Sequence, residues 1–117
     1  MTDRDPDCLF CRIVADEVPS DRVYEDDDVI AFRDINPQAP THVLVVPRRH
    51  VPDVDTLEDD DAGLLTALFA AVRRVAGEEG LAKGYRVVTN VGAESGQSVF
   101  HLHLHLLGGR LMAWPPG

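Results

Sequence analysis

The sequence predicts an α+β fold in which a five-stranded antiparallel sheet packs with one long and one short helix. Five short runs are rich in β-branched and aromatic residues, and the connections between them are of the length found in antiparallel sheets. One longer segment carries apolar residues at helical spacing. The chain has 117 residues, 44% of them hydrophobic. We therefore expect residues 1–117 to form a single domain.

The first predicted elements are a short helix and a hairpin. Pro19 is expected to end the helix, because proline cannot continue one. Four residues at helical spacing form the apolar face of this helix: Leu9, Phe10, Ile13 and Val14. The runs 23–25 and 29–33 flank an acidic turn and predict two paired strands.

A loop and a third strand follow the hairpin. Residues 35–40 contain two prolines and predict a stiff loop. Residues 41–46 are a β-branched run, and Pro47 is expected to end this strand.

The one long helix is predicted to begin near Thr56, because residues 56–59 resemble a capping box. Gly80 is a natural residue just past its end. Six residues form a single apolar stripe along the helix: Leu65, Leu68, Phe69, Val72, Val75 and Ala76.

The last two predicted strands are residues 85–90 and 99–107, separated by a glycine-bearing loop. Alternation along the final strand places His101, His103 and His105 on one face, with leucines on the other. A core would use leucine or valine at such positions, since these residues need no hydrogen-bond partners. The pattern leaves two chemistries, a metal site or a nucleophile with acid–base helpers. The preceding segment 92–98 offers backbone N–H groups and a serine hydroxyl suited to phosphate, which favours the nucleophile.

The charge and the chain ends limit the possible partners. A formal charge of −9 argues against a nucleic-acid partner, because phosphate backbones are held by clusters of lysine and arginine. The acidic blocks at 25–28 and 58–61 are interpreted as solvated. No apolar run is long enough for a membrane span, and the N-terminus lacks the apolar region of a signal peptide. We expect a cytoplasmic protein.

Cys8 and Cys11 are the only cysteines. In a cytoplasmic chain a C-x-x-C pair is more often metal-binding or redox-active than a structural disulfide. The spacing alone does not distinguish a metal site from a redox pair.

With these motifs together, the sequence resembles the histidine-triad (HIT) superfamily, whose signature is three histidines alternating with apolar residues. The resemblance covers nearly the whole chain. Five segments match in the right order: 8–11, 32–42, 47–50, 96–101 and 101–107. The tail 108–117 is similar to that of the histidine-triad nucleotide-binding (Hint) branch.

The third triad position favours the Hint branch, whose members are purine nucleoside phosphoramidases. Dinucleoside-polyphosphate hydrolases and hexose-phosphate uridylyltransferases carry glutamine where this chain has His105. An imidazole can give a proton to a departing amine, whereas a neutral glutamine cannot.

The resemblance implies a set of catalytic roles. His103 would attack the α-phosphorus of a purine nucleoside 5′-phosphoramidate, forming a nucleotidyl-histidine that water hydrolyses. Its second ring nitrogen should be oriented by a carbonyl group or a neighbouring histidine. His42 would serve as a proton relay, His105 would assist the leaving group, and Ser98 would hydrogen-bond the scissile oxygen or nitrogen.

The resemblance also implies the substrate contacts. Asp34 would accept hydrogen bonds from the ribose hydroxyls, and the alternative is a turn aspartate. Arg33 stands where some relatives carry histidine. The implied substrate-binding set is Phe10, Ile13, Phe32, Asp34, Ile35, Leu44, Asn90, Gly96, Gln97, Ser98 and Trp114.

By the same resemblance, a structural zinc ion would be bound by Cys8, Cys11, His50 and His101, and catalysis would need no cofactor. Cys₂His₂ is a closed tetrahedral set, so the metal would stabilise the fold. The alternatives are an empty reduced pair or a redox pair.

The implied assembly is a two-fold homodimer that pairs the long helix and the adjacent strand, extending the sheet across the axis. The tail with Trp114 would reach the partner's active site, or alternatively dock on its own subunit. Three functions follow from the sequence: a phosphoramidase, a regulatory nucleotide-binding module, and a metal-dependent phosphohydrolase with the triad histidines as ligands.

Overall fold

The computed structural model describes residues 4–117 and has the predicted α+β architecture. The helices are α1 (Leu9–Val14) and α2 (Ala62–Glu78). The strands are β1 (Arg22–Glu25), β2 (Val29–Arg33), β3 (Thr41–Pro47), β4 (Tyr85–Val88) and β5 (Leu104–Gly108). They form one antiparallel sheet in the order β1-β2-β3-β5-β4. Within residues 4–117 no helix combines the length and apolar character needed to cross a membrane.

The strand side chains alternate between two apolar layers, as a period of two requires. On one face α2 packs against the leucines at 102, 104 and 106 and the small β-branched residues of β2 and β3. On the other face α1 covers Ile30 and Phe32 of β2 and Leu44 and Val46 of β3. The three triad histidines lie on the α1 face of the sheet, and Phe10 of α1 packs against two of them, His101 and His103.

The predicted start of the long helix is wrong. α2 begins at Ala62, and two short 3₁₀ turns precede it, at Val54–Thr56 and Asp59–Asp61. Asp53 accepts from the Thr56 N–H, so Thr56 closes a capping box rather than opening one. Gly80 has φ 72° directly after the C-cap Glu79, as predicted.

The apolar stripe of α2 is wider than the surface that the sheet covers. Leu68, Val72, Val75 and Ala76 are buried as predicted, but Leu65 and Phe69 are 39% and 46% exposed. The buried Ala71 faces the core, which turns Phe69 away from it.

The final strands are shorter than predicted. β5 begins at Leu104 rather than Val99: its last pair with β3 is Val45–Leu104, and the Leu102 N–H donates to the Val51 carbonyl oxygen instead of to β3. β4 ends at Val88 rather than Asn90, and the Thr89 hydroxyl donates to the His103 carbonyl at 2.9 Å. His101 and His103 therefore precede the ladder, and only His105 lies within it.

The first helix also ends earlier than Pro19. It stops at Val14, because Asp16 has φ 62° and turns the chain out of the helix. Arg22 of β1 donates to the carbonyl oxygens of Ile13 and Val14 at 2.7 and 3.4 Å. The C-terminal end of α1 is therefore fastened to the sheet.

Candidate active site and metal centre

Four metal-ligating side chains converge from three parts of the chain. Cys8 caps α1, Cys11 lies one turn further, His50 follows β3, and His101 precedes β5. His101 Nδ1 lies 3.4 Å from Cys8 Sγ and 3.5 Å from Cys11 Sγ, and His50 Nδ1 lies 3.3 Å from Cys11 Sγ. All four ligand atoms lie within 4.8 Å of one another. The group could hold a metal ion.

The chemistry of these ligands fits zinc. Zinc bonds of about 2.0–2.1 Å to nitrogen and 2.3 Å to sulfur place tetrahedral ligand atoms roughly 3.6 Å apart, close to the three sulfur–nitrogen distances here. His101 Nε2 lies 2.8 Å from the Pro47 carbonyl oxygen, which only accepts, so its Nδ1 presents a lone pair to the thiols. The N–H groups of Asp5 and Cys11 point at the two sulfur atoms, both at 3.4 Å.

Burial favours the metal-binding protonation state of His101 but disfavours that of Cys11. It lowers the pKa of His101 to about 4, so this imidazole is neutral near pH 7. It also raises the pKa of the Cys11 thiol. Metal binding would therefore release thiol protons, since the thiolate is the ligand form.

The second triad histidine presents a free nitrogen. His103 Nδ1 donates to the His101 carbonyl oxygen at 2.7 Å, which leaves an unprotonated Nε2 with its lone pair. The prediction that a carbonyl or a histidine orients this ring is confirmed. Burial lowers the pKa of His103, which favours the neutral ring near pH 7. The ring edge-packs with Phe10 at 5.1 Å between centroids.

Two further histidines form a directed hydrogen-bond chain. The backbone N–H of Gln38 donates to His42 Nδ1 at 3.0 Å, so His42 carries its proton on Nε2. That Nε2–H donates to His105 Nδ1 at 2.9 Å, which places the His105 proton on Nε2. Burial lowers the pKa of both rings, that of His105 to about 4. This hydrogen-bond chain therefore leaves the Nε2–H of His105 as a free proton donor. The ring centroids of His105 and His103 lie 5.0 Å apart.

The same tautomers argue against a metal ion bound by His42, His103 and His105. Asp34, His42 and His105 also place ligand atoms within 4.8 Å of one another. However, a metal on His42 Nε2 would displace its proton to Nδ1, where it would meet the Gln38 N–H. His103 Nδ1 is likewise protonated, since it donates to the His101 carbonyl oxygen, and so it has no lone pair for a metal. The Nδ1 of His101 faces the cysteines instead. The three triad histidines do not point their lone pairs at one centre.

Asp34 is a turn aspartate whose second carboxylate oxygen lies beside His42. Its Oδ1 accepts from the Asn36 N–H at 2.8 Å, as in a turn aspartate. Its Oδ2 lies 3.4 Å from His42 Nε2 and faces the histidine chain. The carboxylate is thus fixed by the loop with one oxygen directed toward the site.

The predicted apolar contacts divide into a cluster and an outlier. Phe10, Ile13, Phe32 and Leu44 form one buried group on the α1 face, each at most 6% exposed. Ile35 is fully exposed and lies outside this group. The neighbouring Arg33 forms a two-pronged ion pair with Glu79 near the end of α2, at 2.7 and 3.0 Å.

Comparison with known proteins decides the family. A family model described as the HIT domain matches residues 15–112. The chain belongs to the HIT domain family. It is 49% identical over 111 residues to an uncharacterized HIT-like protein of Synechococcus elongatus, covering 95% of this chain and 97% of that one.

Solved structures share the HIT fold. A HIT family hydrolase from Legionella pneumophila superimposes with a TM-score of 0.93 at 50% identity, covering 95% of this chain and all of that one. A histidine triad nucleotide-binding protein from Candida albicans gives a TM-score of 0.79 at 30% identity, over 92% of this chain and 82% of that one.

The glycine-bearing loop of this HIT domain is held by one buried side chain. The Gln97 amide accepts from the Gly92 N–H at 2.9 Å and donates to the carbonyl oxygens of Pro52 and Val99. Gly92 and Gly96 have φ of 85° and 99°, which glycine adopts without strain. The side chain of Gln97 thus shapes the loop, and it places the exposed Ser98 beside Cys8 on a cavity of about 310 Å³. Asn90 is half-buried at the entry to this loop.

The sequence did not indicate which backbone groups hold the histidine rings of this HIT domain, although it predicted a carbonyl or a histidine as the partner of His103. The acceptors for His101 and His103 are the backbone carbonyls of Pro47 and His101, and the donor to His42 is the Gln38 N–H. Backbone groups are the same in every residue, so no sequence signal marks them. Trp114 of the tail is 82% exposed and does not dock on its own subunit.

Proposed function

We propose that this HIT protein is a Hint-like hydrolase that cleaves the P–N bond of purine nucleoside 5′-phosphoramidates. One observation carries the proposal: His103 donates through Nδ1 to the His101 carbonyl and so keeps a neutral Nε2 for attack. The names of similar solved structures, a HIT family hydrolase and a histidine triad nucleotide-binding protein, support hydrolysis and nucleotide binding.

The first half-reaction transfers the nucleotide to the protein. The Nε2 lone pair of His103 forms a bond to the α-phosphorus, and the bond from phosphorus to the amine nitrogen breaks. The departing nitrogen takes the Nε2 proton of His105 and leaves as a neutral amine. The Nε2–H of His42 stabilises the electron pair left on His105, because it already donates to His105 Nδ1.

The second half-reaction releases the product. Water attacks the phosphorus, and its proton restores Nε2–H of His105. The bond from phosphorus to His103 breaks, so the nucleoside monophosphate leaves and both histidines return to their neutral forms. This scheme needs no metal, because the proposed zinc ligands Cys8, Cys11, His50 and His101 form a group separate from Asp34, His42 and His105.

The substrate would lie between the apolar cluster and the histidines. Phe10, Ile13, Phe32 and Leu44 would contact the base and Asp34 the ribose, with Ile35 closing over the ligand from its exposed position. The remaining proposed contacts come from the loop and tail: Asn90, Gly96, Gln97, Ser98 and Trp114.

The covalent intermediate provides the direct test. After quenched turnover of adenosine 5′-phosphoramidate, mass spectrometry should find one adenylate added to the chain, and fragmentation should place it on His103. An adduct on another residue would contradict the assignment. Binding of AMP without any adduct or turnover would instead indicate a nucleotide-binding module.

We also propose that the four-ligand group binds structural zinc and that the protein is cytoplasmic. Free thiols at Cys8 and Cys11 suit a reducing compartment. When bound, zinc would cross-link the N-terminus of α1 to the segments around His50 and His101.

The protein is further proposed to form a two-fold homodimer. β4 is an edge strand, so its open side can extend the sheet, and Tyr85 of β4 is 41% exposed. Leu65 and Phe69 add an apolar patch on α2 that this chain does not cover, and a partner would also receive the exposed Trp114. Phe69→Glu should convert the dimer to a monomer in sedimentation equilibrium, whereas Ile35→Glu should not. A wild-type monomer would contradict the dimer.

A further inference from the structure

One of the two residues between the cysteine ligands belongs to the proposed nucleotide pocket. Phe10 lies one position before Cys11 and two after Cys8 on α1. Its ring packs edge-on against three rings of the site: Phe32 at 5.5 Å, His101 at 5.9 Å and His103 at 5.1 Å. Any change in the position of the N-terminal turn of α1 therefore moves a pocket wall and a neighbour of the nucleophile.

The helix that carries Phe10 depends on external support. A helix of six residues is not stable by itself. Its C-terminal end is fastened by Arg22, and Phe10 and Ile13 pack on the sheet. Its N-terminal end is fastened by Cys8 and Cys11, whose contacts with His50 and His101 are sulfur–nitrogen distances of 3.3–3.5 Å. Such contacts are weak hydrogen bonds until a metal ion joins the four ligands.

His101 links the same ligand group to the nucleophile. Its ring faces the cysteines, and its backbone carbonyl accepts from His103 Nδ1 at 2.7 Å. Two contacts thus connect the ligand group to His103. One is the His101 carbonyl, and the other is the Phe10 ring, which lies between the two cysteines in sequence. Loosening the ligand group would disturb both contacts while α2 and the leucine layer on the other face stay packed.

We propose that ligation of Cys8 and Cys11 positions Phe10, so that metal occupancy sets the affinity of the pocket for a nucleoside monophosphate. The inference rests on the proposed nucleotide-binding function. Because coupling between two sites is reciprocal, nucleotide binding must tighten metal binding by the same factor. The affinity for metal and the affinity for nucleotide are then coupled, so that each ligand tightens binding of the other.

The test is a cycle of binding constants with zinc and AMP as the probes. Titration calorimetry gives the Kd of AMP for zinc-loaded and metal-free protein, at a temperature where circular dichroism finds both forms folded. We expect zinc to tighten AMP binding by about tenfold or more, within the usual range of coupling between sites. Competition with a chelator should give the same factor for the effect of saturating AMP on zinc binding.

Two variants on α1 separate positioning from general stabilisation. In Phe10→Ala the coupling factor should fall to about threefold or less, because the ring that transmits it is missing. In the matched control Leu9→Ala, whose side chain is 44% exposed on the same helix, the wild-type factor should remain.

Three results would contradict the inference, and a fourth would contradict the proposed function. Equal AMP affinity with and without zinc, or an unchanged factor in Phe10→Ala, would remove the role of Phe10 as the link. A factor that grows with AMP concentration without saturating would mean that the metal-free chain is unfolded, which also contradicts local positioning. If zinc-loaded wild type binds no AMP, the proposed function itself fails.

Discussion

His103→Ala is expected to lower kcat/KM for adenosine 5′-phosphoramidate by at least about 10⁴-fold, because the variant lacks the atom that we propose forms the covalent intermediate. The ring fills a buried place beside Phe10, and it makes one hydrogen bond to the His101 carbonyl. Binding of AMP should survive within about tenfold, since the apolar cluster and Asp34 are unchanged. Steady-state kinetics and calorimetry on the same preparation check both expectations.

The other catalytic histidine provides the comparison for this variant. His105→Ala should lose less activity, about 10²–10⁴-fold, because a general acid can be replaced in part by water whereas the nucleophile cannot. It should still form the adduct on His103. Residual activity in His103→Ala equal to or above that of His105→Ala would contradict the assignment of the nucleophile.

The sequence predicted most of the fold because the strand alternation and the helical stripe are strong local patterns. Val29 to Arg33 and Thr41 to Val46 lie in strands as predicted, and the leucines of residues 102–106 face α2. The start of α2 was wrong because capping signals repeat: Asp53 and Glu58 each begin a separate short turn before the helix. The predicted start of β5 was wrong because the Leu102 N–H bonds to the Val51 carbonyl oxygen, outside β3, which is a non-local effect.

The sequence predicted which side chains form the candidate site, but it could not predict which ring nitrogen of each histidine carries the proton. Alternation placed His101 and His103 on one side of the chain, yet their different surroundings follow from backbone groups distant in sequence. Pro47 fixes the tautomer of His101, and the Gln38 N–H fixes that of His42. These bonds give the proposed metal ligand His101 and the proposed proton relay His42 different free ring nitrogens, and they depend on the end of β3 and the loop before it.

Removing the proposed zinc ion should lower the thermal unfolding midpoint by about 15 °C. A ligand present at about 1,000 times its Kd stabilises a protein by roughly 4 kcal/mol. For a chain of this size 1 kcal/mol corresponds to about 4 °C. The stabilisation is expected because the four ligands join α1 to the segments after β3 and before β5, which otherwise meet through weak sulfur–nitrogen contacts. Calorimetry before and after treatment with a strong chelator measures the difference, and metal analysis identifies the ion.

Ligand variants show whether this stability comes from the proposed site. Cys8→Ser with Cys11→Ser should have the lower midpoint already and should not respond to chelator, because the thiolates that hold the metal are absent. His42→Ala should keep the full response to chelator, because His42 lies in the catalytic hydrogen-bond chain and not among the four ligands. A response lost in His42→Ala but kept in the cysteine variant would move the metal to the catalytic histidines, against the tautomers that Gln38 and the His101 carbonyl impose. The two variants thus decide between a closed structural centre beside the nucleophile and a metal bound at the chemistry itself.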